Sequence, residues 1–320
     1  MIGDLQMTNH KIKVGVVGVG YLGEHHARIY SSMDHVDLVG VADIDTGRAD
    51  HIAAQYKTRP FHDYKELFGK VSAVSIAVPT VLHYPVALDF IRQNTDVLIE
   101  KPVTTTVEEA ESLIREAAKR NVLIQVGHIE RFNTAFRTMC TYLHHPRFIE
   151  AHRIGPYVGR GIDVDVILDL MIHDIDIILA IVKSELVDLR AIGVPVLTNH
   201  IDIANVRLEF ANGCIANLTA SRVSREKMRK IRIFQADTYI SLDYGKQGMA
   251  IFRRIMENGL PKIVSEEISL EREEPLQVEL TSFIAAVKNR TQPLVTGLDG
   301  IEALKIALRI IEDAKKRGTQ

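Results

Sequence analysis

A chain of 320 residues, 46% hydrophobic and 25% charged, is long enough for two domains with a core each and too ordinary in composition for extended disorder. Its formal net charge of −2, without a long basic or acidic block, gives no footing for nucleic acid or an anionic membrane. Cys140 and Cys214 stand far apart with no CxxC spacing, which argues against a disulfide framework or thiolate metal site and fits a reducing cytoplasm. The opening "MIGDLQMTNHKIK" does not read as a signal peptide, and no uncharged run approaches the ~20 residues of a membrane span.

In chain order, the first 130 or so residues alternate strand-like runs with amphipathic helical patterns. The runs are "KIKVGVVG" (11–18), "VDLVGVAD" (36–43), "SAVSIAV" (72–78), "DVLIEKP" (96–102) and "VLIQVGH" (122–128); "YLGEHHARIYSSM" and "VEEAESLIREAAKR" are helical. Strands that are apolar on nearly every residue, joined by helices, predict a parallel sheet covered on both faces, a doubly wound α/β domain. We place it at residues 1–129. After about residue 146 comes an apolar helix, then runs with strand character: "AIGVPVL", "DIANVRLEF", "CIANLTASR" and "KIRIFQADTYISLDY". "FANGCIA" sets Asn-Gly between apolar runs, the strongest short hairpin signal. Residues 130–320 therefore form an α+β domain with a mainly antiparallel sheet, closed by two helices that can pack back on the first domain.

"KIKVGVVGVGYLGEHHA" carries Gly18-Val19-Gly20-Tyr21-Leu22-Gly23 directly after the first strand. Gly18 suits the tight turn, Gly20 the close approach of a pyrophosphate, and Gly23 the packing of helix on strand. The helix N-terminus offers free N–H groups and the positive end of its dipole to phosphates. Asp43 ends the second strand at about the 20-residue offset where a carboxylate takes the ribose diol and repels a 2′-phosphate. These residues predict a dinucleotide site with NAD preferred over NADP. His25 and His26, early in the first helix, read as ordinary surface or core histidines.

Ligands of open α/β sheets bind at the strands' carboxyl ends. Two of those ends carry chemistry: "AVPTVLH", with Pro79, Thr80 and His83, and "LIEKPV", with Glu100 and Lys101. A lysine ending a buried strand either exchanges protons with a substrate hydroxyl or pairs with a neighbour such as Glu100. Further along, "DVILDLMIHDIDIILAIV" (165–182) places Asp165, Asp169, His173 and Asp176 within about 40° of one another on a helical wheel otherwise filled with apolar side chains. Such a stripe is either a structural ion-pair network or the wall of a polar substrate cavity. No HExxH and no cysteine cluster points to a metal.

With the glycine fingerprint, "VPTVLH", "EKP", "LDLMIHDID" and the ending "LTSFIAAVKNRTQPLVTGLDGIEALKIAL", the whole chain resembles the Gfo/Idh/MocA oxidoreductases. The resemblance implies oxidation or reduction of sugars, inositols and related alcohols with a nicotinamide cofactor. It implies that Lys101, Asp169, His173 and Asp176 face the nicotinamide, with the cofactor touched by Gly18, Gly20, Tyr21, Leu22, Gly23, Asp43, Pro79, Thr80, His83, Glu100 and Lys101. The chain departs from the family pattern at Met171, where a glycine is usual, so its pocket wall should differ. "GHIERFN" (127–133) and "RIGPYVGR" (153–160) look like the branch that acts on the 3-hydroxyl of UDP-linked N-acetylglucosamine. Its pyrophosphate would need cations, for which Arg131, Arg153 and Arg160 are candidates, with Asn133 beside them.

His173 is the first choice for the base, since an imidazole with a pKa of about 6.5 matches neutral working conditions, and Asp169 would orient it. Lys101 would hydrogen-bond the same hydroxyl, and the reversed assignment stays open. A dehydrogenase of free sugars or inositol, and a non-catalytic NAD(P) sensor, are the competing functions. A homodimer or homotetramer built through the open face of the second sheet is a further implication of the resemblance.

Overall fold

The computed structural model describes residues 11–157, 159 and 164–318. They divide into two compact units: residues up to Gly127 with Leu276–Leu298, and His128–Pro275 with the residues from Asp299 onward.

The first unit is built on six parallel strands, β1 (Ile12–Val17), β2 (Val36–Ala42), β3 (Arg59–Phe61), β4 (Ala73–Ile76), β5 (Asp96–Glu100) and β6 (Ile124–Gly127), in the order β3-β2-β1-β4-β5-β6. β4, β5 and β6 are buried at every residue, which is why they read as unbroken apolar runs. Helices α1 (Tyr21–Ser32), α2 (Thr46–Gln55), α3 (His83–Arg92) and α4 (Val107–Arg120) make the crossovers. α4 starts on a capping box between Thr106 and Glu109 and stops at Asn121, whose φ of 53° is left-handed. The strand order reverses between β1 and β4, the point at which such sheets open a crevice for ligands.

The second unit opens with α5 (Thr134–Cys140) and β7 (Phe148–Ile154), the first strand of the second sheet and one the apolar pattern did not announce. β7 lies mid-sheet, parallel to β10 (Ile215–Ser221) and antiparallel to β11 (Met228–Gln235). A single π turn, Ile167–Met171, leads into α6 (Ile172–Val182). β8 (Leu186–Val194), β9 (Ile203–Phe210), β12 (Thr238–Asp243), β13 (Gly248–Glu257) and β14 (Leu260–Ile268) complete the order β14-β13-β12-β11-β7-β10-β9-β8. The Asn212-Gly213 turn joins β9 to β10 as predicted, with Gly213 at φ +81°. "KIRIFQADTYISLDY" is not one strand but the hairpin β11–β12.

α7 (Pro275–Asn289) belongs, from Leu276, to the first unit, whereas α8 (Gly297–Gly318) supplies Ala303, Ile306, Ala307 and Ile310 to the core under the second sheet. Met171, standing where the family usually has glycine, is fully buried in that core, so it shapes packing and not the pocket wall. Among the described residues no helix is long and apolar enough to cross a membrane.

Candidate active site

β1 ends in the turn that the glycines require. Gly18 sits at φ +81°, and a Cβ there would meet the Ala77 carbonyl oxygen at 2.8 Å. A Cβ on Gly23 would fall 1.8 Å from the Gly18 oxygen, so helix α1 packs against the turn only without a side chain. At Gly20, by contrast, an added Cβ meets nothing within 4 Å: the space above the loop is open. Gly20 caps α1 without a side-chain hydrogen bond, so the first-turn N–H groups face that space uncompensated by a cap. This is a cradle for a phosphate pair. Tyr21 and Leu22 are exposed on the first turn of α1.

A cavity of about 730 Å³ runs from this loop along the carboxyl ends of β1, β2 and β4, past Asp43, Ile44, Val78 and Pro79. Asp43 accepts the N–H of Val19 at 2.9 Å and of Asp45 at 2.9 Å, which fixes its carboxylate at the rim, with Arg48 3.4 Å away. A dinucleotide fits these residues: glycines clear its pyrophosphate, a helix terminus faces it, and a fixed carboxylate stands where a ribose diol needs an acceptor. His62, Asp63 and Tyr64 beyond β3, and Leu82, Pro85 and Val86, also line the cavity. His62, Asp63 and Tyr64 were not expected, because a three-residue strand such as β3 produces no periodic signal.

Two residues expected at the cofactor point elsewhere. The Glu100 carboxylate turns inward to His26, whose Nε2 lies 3.1 Å from Oε1, so its partner is a buried histidine of α1. His83 is 2% exposed and sets both ring nitrogens against carbonyl oxygens, Nδ1 to Pro102 at 2.8 Å and Nε2 to Val78 at 2.9 Å. It ties the loop after β4 to the loop after β5; it is a brace, with Pro79 and Thr80 on the turn it holds. Lys101 follows Glu100, half-buried at the carboxyl end of β5.

In the second unit the polar stripe of "DVILDLMIHDIDIILAIV" separates. The π turn adds a residue to one turn of the helix, so a uniform 100° wheel no longer holds across it. Asp165 is buried, accepting the Ile201 N–H at 2.8 Å and facing Lys315 at 3.3 Å; it anchors a loop and α8 and is not a pocket rim. Asp176 is 1% exposed and takes a bidentate fork from Arg131, at 2.7 and 2.9 Å. Asp169, in the π turn, and His173, one turn later, are half-buried.

The arginines and asparagine proposed for a substrate are also committed otherwise. Arg153 is 3% exposed, forked onto Asp174 at 3.0 and 2.9 Å and bonded to Glu130 at 2.8 Å. Burial alone would lower its pKa, but the charges of Asp174 and Glu130 outweigh it and raise it, so the guanidinium stays charged. Asn133 caps α5, accepting the Ala135 N–H and donating to Glu130. Arg131, held by Asp176 with Asp299 3.4 Å away, cannot clamp a phosphate without leaving them. Single arginines and asparagines are equally common in ion pairs and caps, which is why spacing did not separate the two roles. Arg160 lies outside the described residues.

Comparison with known proteins agrees with these features. Residues 12–128 match a family described as "Oxidoreductase family, NAD-binding Rossmann fold", and residues 134–240 match the GFO/IDH/MocA C-terminal domain. The chain is 37% identical over 306 residues to the UDP-N-acetylglucosamine 3-dehydrogenase of Acidithiobacillus ferrooxidans, covering 93% of this chain and 96% of that one. The scyllo-inositol 2-dehydrogenase (NAD(+)) of Bacillus subtilis is 25% identical, with 93% of each chain covered. Among solved structures, the Acidithiobacillus enzyme superimposes with a TM-score of 0.91 at 36% identity, over 96% of this chain and 98% of that one. A levoglucosan dehydrogenase solved with NADH and levoglucosan, 16% identical, shares the fold with a TM-score of 0.86 over 96% of this chain and 98% of its own. The chain belongs to the Gfo/Idh/MocA oxidoreductases, and its first unit is their NAD-binding Rossmann fold.

Proposed function

We propose that the protein oxidises the 3-hydroxyl of a UDP-linked N-acetylhexosamine. The observation that carries this reading is the 37% identity along nearly the whole of a UDP-N-acetylglucosamine 3-dehydrogenase, with Lys101, Asp169 and His173 all present here. Bound NAD supplies the hydride acceptor. The glycine loop and the α1 terminus hold its pyrophosphate, and Asp43 its ribose. His173, whose Nδ1 is buried, takes the hydroxyl proton at Nε2, Asp169 orients the imidazole and stabilises its cation, and Lys101 donates a hydrogen bond to the substrate oxygen. With Arg131 and Arg153 held by carboxylates, Arg160 is the proposed contact to the substrate's pyrophosphate. A second copy of the chain on the open face of the second sheet is part of the same reading, and solution mass by light scattering tests it.

The decisive experiment mixes the protein with NAD and a panel of UDP-N-acetylhexosamines, free sugars and inositols, following reduced nicotinamide by absorbance. Turnover of the UDP-linked N-acetyl sugars alone is the expected result. Equal turnover of inositols would replace this reading with a polyol dehydrogenase, and NAD binding without turnover of any alcohol would leave a sensor.

The cofactor preference has its own test. Asp43→Asn removes the charge facing the ribose, and a charged hydrogen bond is worth about 1.5–3 kcal/mol. NAD should bind roughly 10- to 100-fold more weakly, while the discrimination against NADP narrows because the repulsion of the 2′-phosphate is gone. Fluorescence titration with both cofactors reads the two affinities directly.

A further inference from the structure

The motif "GHIERFN" (127–133) has no part in the mechanism above, and its charged side chains close a circuit around the helix that carries His173. Arg131, on the short helical turn Ile129–Phe132, forks onto Asp176 through Nε at 2.7 Å and Nη2 at 2.9 Å. Its neighbour Glu130 accepts Arg153 Nη1 at 2.8 Å, and Arg153, on β7, forks onto Asp174 at 3.0 and 2.9 Å. Asn133 donates to the other oxygen of Glu130 at 3.4 Å. Asp174, Arg153, Glu130, Arg131 and Asp176 thus run from α6 out to the motif and back to α6. The most exposed of the five side chains, Arg131, is only 12% exposed, so water competes little for these bonds.

Both carboxylates lie in the regular α-helical part of the segment, past the π turn. At about 100° per residue, Asp174 sits about 100° to one side of His173 and Asp176 about 60° to the other. The apolar contacts of α6, from Ile172, Ile175, Ile177 and Ile178, are non-directional and leave the helix able to roll about its axis. A bidentate fork is directional. A carboxylate about 5 Å from the axis moves by about 2 Å on a roll of about 20°, enough to break its fork, and a roll in either sense displaces both carboxylates. The imidazole of His173 would move by a similar distance. Buried ion pairs add little net stability over apolar replacements, but they select one arrangement.

We propose that Arg131, Arg153 and Glu130 are positioning residues: their forks onto Asp176 and Asp174 fix the roll of α6 and thereby the direction in which His173 points. This rests on the proposed function for what His173 does there, and not for the fixed roll. On this reading the motif marks how the base is held and not which sugar is bound.

Two variants test it. Arg131→Lys keeps the cation and loses the planar fork, and Asp176→Asn keeps the shape and loses the charge. In each, kcat on the UDP-linked N-acetyl sugar should fall about 10- to 100-fold, the cost of a misplacement of about 1 Å, while KM and NAD affinity stay within a few-fold. A second measurement needs no sugar: C2–H exchange of each histidine in deuterated buffer, read by peptide mass, reports the surroundings of one imidazole at a time. His173 should change its rate beyond replicate error in both variants, with His152, half-buried on β7 of the same unit, unchanged. Circular dichroism and urea midpoints identify the folded variants; should Arg131→Lys not fold, Asp176→Asn decides alone. Unchanged exchange at His173 in a folded variant, equal acceleration at His152 and His173, wild-type kcat in both variants, or failure of both to fold overturns the proposal. Altered exchange at His173 alone, in a protein that turns over no sugar, would uphold the fixed helix and sink the proposed function separately.

Discussion

His173→Ala is expected to lower kcat by about 10²- to 10⁴-fold, the usual contribution of a general base. NAD affinity should stay within a few-fold of the wild type, because the phosphate cradle, Asp43 and the cavity beside them are built entirely by the first unit, and His173 belongs to the second. Lys101→Ala should give a comparable loss, since the donor to the substrate oxygen disappears. Asp169→Asn should cost less than either, as it weakens support for the imidazole without removing the acceptor. Steady-state kinetics with a substrate of the proposed class, alongside cofactor titration, measures all three. Full activity in His173→Ala would transfer the base to Lys101 and reverse the two roles.

The second large effect concerns stability. Arg153→Ala is expected to destabilise the protein by about 3–5 kcal/mol, because Asp174 and Glu130 would remain buried without their cation. The Arg153 guanidinium also lies 5.6 Å from the centre of the Tyr244 ring, so its removal leaves a gap as well as an unpaired charge. Arg153→Met combined with Asp174→Leu should recover part of the loss by replacing the ion pair with apolar volume, Glu130 alone remaining charged. Urea unfolding of the three proteins distinguishes the outcomes. A single variant within 1 kcal/mol of the wild type would show that Arg153 is not the structural cation its geometry indicates.

The same pair illustrates a limit of reading residues along a chain. Arg153 and Arg131 carry the charge a pyrophosphate needs, and their sequence neighbours fit a nucleotide-sugar enzyme. Their partners, Asp174 and Asp176, lie 21 and 45 positions away, and only folding brings those carboxylates to them. Asp165 and Asp176 share a wheel with Asp169 and His173 on paper, but the π turn and the chain segments around the helix give each acid its own partner. The wheel assumed one uniform helix. Local pattern could not supply the missing turn geometry.

His26 is the sharper case. An isolated histidine on an amphipathic helix is ordinary, and ordinary is how it reads in sequence. Its carboxylate partner comes 74 residues later, at the end of a strand two positions across the sheet.

What the amino-acid order determined by itself was whatever short-range physics dictates. Short apolar runs between amphipathic helical patterns read as strands buried on both faces, Gly18 and Gly23 occupy positions where a Cβ collides, and Asn-Gly turns the β9–β10 hairpin. These constraints act within a few residues or repeat with a fixed period, so the parallel sheet, the cofactor loop, Asp43 and the family were legible before any coordinates. The tertiary structure decided which charged groups are spent on one another: Glu100 on His26, Arg131 on Asp176, Arg153 on Asp174 and Glu130. A buried charge takes whichever opposite charge folding places within about 3 Å, and that distance is set by packing between remote segments and not by spacing along the chain.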